Sequence, residues 1–296
     1  MAGLFVIFIL LDLLFTHTIK SKDYYRHKGQ FVLNLSNRDV DYIVLGNSRA
    51  YHGLSTRLID SAYLISGLNL GIEGANLADC KMVLEKFIEG NNNSKIVLLE
   101  LSFEKLSTNS YSEFCMPEFI PYIDDDIIFN AIKQTTGVLS GCVLRYVPFS
   151  KFAMYNQHWK PELIVRSMIS NLDYKGFDHW GNSPINRIMT NIPETREIDL
   201  NNTSYELLND IFELASKNKM TLFLYSSPYL KYQVKLDYRL NDVRKHLMKI
   251  DSSYEDLSNS LHDMKYFADV NHVNILGMKY CSNEIGKRLR EALNDN

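Results

Sequence analysis

A serine stands at position 48 in the run DYIVLGNSRAYHGLS, residues 41–55, just after an apolar stretch that stops on Gly46. A serine in that place is either an ordinary turn former or helix cap, or a nucleophile. Its hydroxyl attacks an ester only when a base within hydrogen-bond reach takes the proton. Near the far end of the chain, FADVNHVN at residues 267–274 holds Asp269 and His272, three positions apart. In a loop, that spacing lets the carboxylate accept the imidazole Nδ1–H and leaves Nε2 free to receive a proton. Taken alone, an Asp-x-x-His is as readily a helix N-cap beside a surface histidine. Taken together, the two segments fall at the first and last strand ends of one alternating domain. Their chain order of Ser, Asp, His is a known order for a nucleophile, its orienting acid and its base.

The elements that must position them follow from the apolar pattern. Residues 42–46 (YIVLG) form a short β-rich run ending on glycine, and residues 94–102 (SKIVLLELS) a continuous apolar strand. A second short strand lies within YLISGLNLG. Helices are expected in STRLIDSAY, capped by Ser55, and in ANLADCKMVLEKFIEG, which stops at Gly90. Alternation returns with the amphipathic SYELLNDIFELASKNK, the buried strand MTLFLYSSP, a helix in LNDVRKHLMKI, and a last short strand, loop and amphipathic helix from residue 265. Such alternation argues for a parallel sheet with ligands bound beyond the carboxyl ends of its strands. From about 104 to 196 the pattern breaks into an aromatic-rich region with helical stretches such as DDIIFNAIKQ and PELIVRSMIS, read as a helical insertion or lid.

The 296 residues suit one large α/β domain with an insertion, or two small domains. Apolar residues at 46% and charged residues at 23% are those of a globular protein, and a net charge of −3 gives no case for nucleic acid. The four cysteines show no CxxC pair and no metal-ligand spacing with histidine, so no metal is implied. Cys80 and Cys281 read as core residues, while Cys115 and Cys142 could form a disulfide in an oxidising compartment. Residues 1–18 are mostly apolar, interrupted by Asp12, and shorter than the roughly 20 residues of a typical membrane span. They read as a signal or single-pass anchor that attaches the protein to a cell membrane, or else as a buried N-terminal helix. Lys20, Lys22, Arg26 and Lys28 follow, and the positive-inside rule taken strictly would hold the domain in the cytoplasm. The anchor reading instead puts it outside, in the periplasm. Residues 19–40 read as a linker and 41–296 as the α/β domain.

IVLGNSRA near the start, NLGIEGAN next and DVNHVNILG near the end resemble the blocks of the SGNH/GDSL hydrolase superfamily. More narrowly, they resemble its membrane-anchored bacterial members linked to cell-surface polysaccharide acylation. The likeness covers about 41–102 and 221 to the end, and leaves out the insertion. It implies a three-layer, flavodoxin-like α/β fold with Ser48 as nucleophile, His272 as general base and Asp269 as its orienting carboxylate. It also implies oxyanion donors at the Ser48 and Gly74 backbone N–H groups. Asn47 replaces the usual acidic residue before the serine. The third-block Gly-x-Asn is missing after residues 94–102, and Asn76 is the substitute donor to consider. Losing that donor would cost about 3 kcal/mol of transition-state stabilisation.

The neighbours carry paired readings. Arg49 either holds an anionic or sugar substrate or forms an ion pair. His52 either crowds the site or packs its turn. Trp159 and Trp180 either stack on sugar rings or pack the lid, and Asp178 with His179 make either an acid/base pair or a lid turn. The expected activity is a serine-dependent esterase or O-acyltransferase acting on acyl, chiefly acetyl, esters of a cell-surface glycan, with no organic cofactor. The alternative is an inactive binding or scaffolding subunit that assists a membrane acyltransferase. A third option is a lipid esterase.

Overall fold

The computed structural model describes residues 2–20, 28–151, 153–154, 187–188, 190, 196–198, 204–230, 234–236 and 240–294. Its centre is a five-stranded parallel sheet of β1 (Asp39–Leu45), β2 (Gly67–Asn69), β3 (Asn93–Glu100), β5 (Thr221–Ser226) and β7 (Glu255–Asp256), ordered β2-β1-β3-β5-β7. Two further short strands, β4 (Arg196–Ile198) and β6 (Val234–Leu236), pair with each other in parallel. β1 and β3 run in register from Asp39 opposite Asn93 to Leu45 opposite Leu99, so their carboxyl ends finish side by side.

The two-residue period of the strands sorts their side chains into two cores. Ile43, Leu45, Val97, Leu99, Leu222 and Leu224 enter one cluster, and Tyr42, Val44, Ile96, Leu98, Phe223 and Tyr225 the other. Both faces are therefore covered, which is why the strands read as unbroken apolar runs. The first face carries α2 (Lys28–Leu33), α5 (Leu77–Glu89), α8 (Glu206–Lys217) and α9 (Leu240–Ile250). The second carries α3 (Ser48–Gly53), α4 (Thr56–Tyr63) and the final α10 (Ile275–Asn294), which packs against both α3 and α4. The parallel sheet is the one expected from the alternation, and the three layers are those the family resemblance implies.

The described part of the insertion contains three 3-10 turns between Phe103 and Tyr122, then α6 (Asp126–Thr136) and α7 (Val138–Tyr146). PELIVRSMIS, Trp159, Asp178, His179 and Trp180 lie outside the described residues. Cys115 and Cys142 are both free, and the Cys115 thiol, turned into the core, sits 3.7 Å from the Ser112 carbonyl. The expected linker holds the helix α2, whose Lys28, Gly29, Gln30, Phe31 and Val32 are buried. Its polar composition concealed a packed element, because the lysine is buried with its Nζ donating to the Asn69 carbonyl.

The helix α1 (Ala2–Lys20) lies against the insertion. Phe8 stacks on Phe149 with ring centroids 4.9 Å apart, Asp12 faces Lys151 at 3.6 Å, and Lys20 bonds Asp124 at 3.3 Å. Leu4, Phe5, Val6, Ile7, Leu10 and Leu13 of the same helix are exposed. Among the described residues no helix is long and apolar enough to cross a membrane.

Candidate active site

The turn that carries Ser48 is fixed from beneath. Gly46 has φ +144°, and a Cβ there would stand 2.8 Å from both the Ala50 and Glu100 Cβ atoms. Only glycine fits, so the chain can leave β1 and start α3 within two residues. Asn47 is the helix N-cap, its side-chain oxygen accepting the Arg49 N–H at 2.9 Å. Ser48 is thus the first residue of α3, at the carboxyl edge of the sheet. The helix is secured from its far end by Asn69, whose amide donates to the Ala50 and Leu54 carbonyls at 3.1 Å each. Chain leaving β2 continues beside the same turn, with the Ile72 N–H bonded to the Gly46 carbonyl at 3.0 Å. That bond brings Glu73 to His52, one helical turn after the serine.

The imidazole arrives on a loop rather than on a strand end. The expected last strand is a single antiparallel bridge between Phe267 and Val273, and the sheet ends instead at β7. Within the bridge, the Ala268 N–H bonds the His272 carbonyl at 2.9 Å and pinches residues 268–272 into a tight loop. The Asp269 Oδ1 then gathers three donors: the Asn271 N–H at 2.9 Å, the His272 N–H at 3.0 Å and the His272 Nδ1 at 2.9 Å. Partial burial pushes the Asp269 carboxyl up, but these hydrogen bonds and the neighbouring imidazole hold it at about 2. It is a carboxylate at any working pH, so the Nδ1 facing it carries the proton. The opposite ring nitrogen, Nε2, lies 2.8 Å from the Ser48 Oγ. Two loops 224 residues apart in the chain therefore meet in the geometry of a base drawing a proton from an alcohol.

The remaining residues singled out in the sequence fall into two groups. The backbone N–H groups of Ser48 and Gly74 have no acceptor among the described residues. Gly74 has φ +73°, and a Cβ there would meet the Phe114 ring at 2.4 Å, so only glycine fits at this turn. Asn76 is placed otherwise. Its amide donates to the Ser110 carbonyl at 3.0 Å and its oxygen accepts Lys105 Nζ at 2.7 Å, so one of its two N–H donors is held by the insertion. Arg49 is turned inward and only 5% exposed. Its Nη2 donates to the Ser227 and Pro228 carbonyls at 2.9 and 2.7 Å, its Nε faces Glu100 at 3.3 Å, and its guanidinium lies 3.7 Å over the Tyr229 ring. It acts as a clamp between α3 and the ends of β3 and β5, so the ion-pair reading describes its placement. Asn47, Ser102 and Glu100 continue the network, since Asn47 Nδ2 donates to Ser102 Oγ at 2.9 Å and Ser102 Oγ to Glu100 at 3.0 Å. Burial pushes the Glu100 carboxyl up even against the pull of Arg49.

Two further contacts have no counterpart in the sequence reading. Arg187 donates from Nε to the Ala268 carbonyl at 3.1 Å and brings Nη2 to 3.5 Å from the Asp269 Oδ2. His52, one helical turn after Ser48, has its Nε2 2.8 Å from the Glu73 Oε1. Arg187 stands in a weakly patterned stretch, and Glu73, though inside the NLGIEGAN block, carries no spacing that points to His52. Among the described residues no group of three or more histidine, cysteine or acidic side chains could hold a metal ion.

No family model matches the chain, and no curated protein matches it. Solved structures do. One is provisionally described as a lipolytic protein of the G-D-S-L family from Desulfitobacterium hafniense DCB-2, at 10% identity and a TM-score of 0.40, covering 84% of this chain and 98% of that one. Another is provisionally described as a platelet activating factor from Streptococcus pneumonia, also at 10% identity and a TM-score of 0.40, covering 95% of this chain and 98% of that one.

Proposed function

We propose that this chain is a serine-dependent ester hydrolase or O-acyltransferase of the SGNH type. The observation that carries the reading is the unbroken line Asp269 Oδ1, His272 Nδ1, His272 Nε2, Ser48 Oγ, with both links under 3 Å. Ser48 Oγ attacks the ester carbonyl while His272 Nε2 takes its proton, and the imidazolium is held by the Asp269 carboxylate. The oxygen of the tetrahedral intermediate is received by the Ser48 and Gly74 N–H groups. His272 then returns the proton to the leaving alcohol. In the second half, water or an acceptor hydroxyl gives its proton to the same nitrogen, attacks the acyl carbon and releases Ser48.

The substrate we propose is an acyl ester, acetyl by preference, of a cell-surface glycan, with the protein attached to a membrane through its N-terminal segment and its catalytic domain outside the cytoplasm. The exposed apolar side chains of α1 support the attachment. The glycan rests on the resemblance of the sequence blocks. A fluorophosphonate probe tests the chemistry: the native protein should label stoichiometrically and Ser48→Ala should not label.

One observation favours a second reading, a scaffolding subunit that assists a membrane acyltransferase. Asn76 is tied to Ser110 and Lys105, which holds its side chain in the insertion and weakens it as an oxyanion donor. An unlabelled native protein that still binds a glycan or a membrane acyltransferase decides for the scaffold.

A further inference from the structure

A second carboxylate–imidazole pair borders the serine. His52 lies on α3 four residues beyond Ser48, and its ring stands edge-on to that of His272 with centroids 5.7 Å apart. The cleft at the serine is lined by Ser48, His52, Gly53, Pro228 and His272. The His52 Nε2 is 2.8 Å from the Glu73 Oε1. The hydrogen bond from His52 holds the Glu73 carboxyl below its ordinary range, against the upward push of partial burial. Facing a carboxylate, Nε2 carries the proton, so the neutral ring has its lone pair on Nδ1. That nitrogen has no hydrogen-bond partner among the described residues. The arrangement is the mirror of the triad, where Asp269 takes Nδ1 and leaves Nε2 to the serine.

The geometry points to His52 and Glu73 as the acceptor-recognition pair of this site: His52 Nδ1 accepts a hydrogen bond from one hydroxyl of a polyhydroxylated alcohol while the neighbouring hydroxyl is delivered to the acyl-serine. This rests on the serine reading above and deepens it by naming the class of the second substrate, a vicinal diol such as a sugar presents. The proton balance is unchanged. The attacking hydroxyl gives its proton to His272 Nε2, the bond from its oxygen to the acyl carbon forms, the bond from that carbon to Ser48 Oγ breaks, and His272 returns the proton to Ser48. His52 holds the second hydroxyl and exchanges nothing. Glu73 acts through His52 by fixing its tautomer, as a positioning residue. Because Glu73 directly precedes Gly74, the same pair also ties acceptor binding to the segment that carries an oxyanion donor.

The test uses the full chain with p-nitrophenyl acetate as acyl donor and either glycerol or 1-propanol as acceptor, counting acetylated alcohol against free acetate. The native protein should favour glycerol over the mono-alcohol. His52→Phe, which keeps a ring against His272 but has no ring nitrogen, should lower that preference about fivefold, the loss expected for one neutral hydrogen bond. His52→Asn should restore part of it, and Glu73→Gln, which no longer fixes the tautomer, should fall between. Equal use of the two alcohols by the native protein, or a preference unchanged in His52→Phe, overturns the proposal. A native protein that neither labels nor hydrolyses overturns the serine reading alone. In that case the ring 15N resonances of His52 decide. A shift with glycerol and none with 1-propanol upholds the pair, and no shift with either removes it.

Discussion

Replacing Asp269 by asparagine isolates one quantity in this site, the carboxylate charge. Oδ1 is held by three N–H donors, two from the backbone and one from the His272 ring. An asparagine carbonyl oxygen can take the same place and keep the same three bonds, with its amide nitrogen turned to where Oδ2 faces Arg187. The imidazole therefore keeps both its orientation and its tautomer. The attraction between carboxylate and imidazolium is lost, together with the exposed ion pair from Arg187 to Oδ2. At about 4 Å and an effective dielectric of about 20, that attraction is about 4 kcal/mol. A side chain 34% exposed, with a guanidinium already 3.5 Å from its other oxygen, realises about half of it. We expect kcat/KM for p-nitrophenyl acetate to fall about 30-fold in Asp269→Asn, equivalent to about 2 kcal/mol. Asp269→Ala loses the three acceptor bonds as well and should fall by about 10³ to 10⁴, the scale seen when a triad histidine is left in the wrong tautomer. Steady-state hydrolysis of the two purified variants, beside Ser48→Ala as the floor, gives both numbers. If asparagine proves as damaging as alanine, the backbone N–H groups do not hold that oxygen in place and the reasoning is wrong. If asparagine is as active as the native residue, the charge has no part in the reaction.

Three other expectations follow from the same geometry. Burial pushes the Asp79 carboxyl up to about 6, even though the Asn76 and Ser112 N–H groups donate to it. Its folded value lies above the unfolded one of 3.8, so the folded state keeps the proton longer, and stability should decline by about 3 kcal/mol between roughly pH 4 and 6. Asp79→Asn should flatten that decline in urea unfolding, and an identical slope in the variant would refute it. Gly46→Ala must place a methyl 2.8 Å from two neighbouring Cβ atoms at a positive φ, and should cost about 3 kcal/mol in denaturant unfolding together with fluorophosphonate labelling. An unaltered midpoint would show that the turn yields. Deleting residues 1–20 should move the protein from the membrane fraction to the supernatant on cell fractionation, and a truncated protein still sedimenting with membranes would locate the attachment elsewhere.

The parallel sheet was legible because both of its faces are covered. Residues 96–99 and 222–225 are apolar at every position, and that continuity is itself the signature of a doubly packed strand. Ser48 and the Asp269–His272 loop could be named from local spacing, since each is a short-range pattern. What spacing could not supply was the partner across the fold. Whether Arg49 meets a ligand or Glu100 depends on where β3 ends, and whether Asn76 is free depends on Lys105 and Ser110 in the insertion. The Glu73–His52 contact depends on the path of the chain after β2. The helix Lys28–Leu33 was read as linker because a lysine and a glutamine are rarely buried, and here both are.

The order in which Ser48, Asp269 and His272 occur along the chain governs when the proposed triad can first assemble. Ser48 leaves the ribosome early, whereas its base follows 224 residues later, and α10, which braces α3 and α4, is the last described segment to appear. A nascent chain halted before residue 272 owns an alcohol with nothing to deprotonate it. On the serine reading proposed above, synthesis thus carries its own safety catch: acyl groups stay untouched until the C-terminal segment has docked.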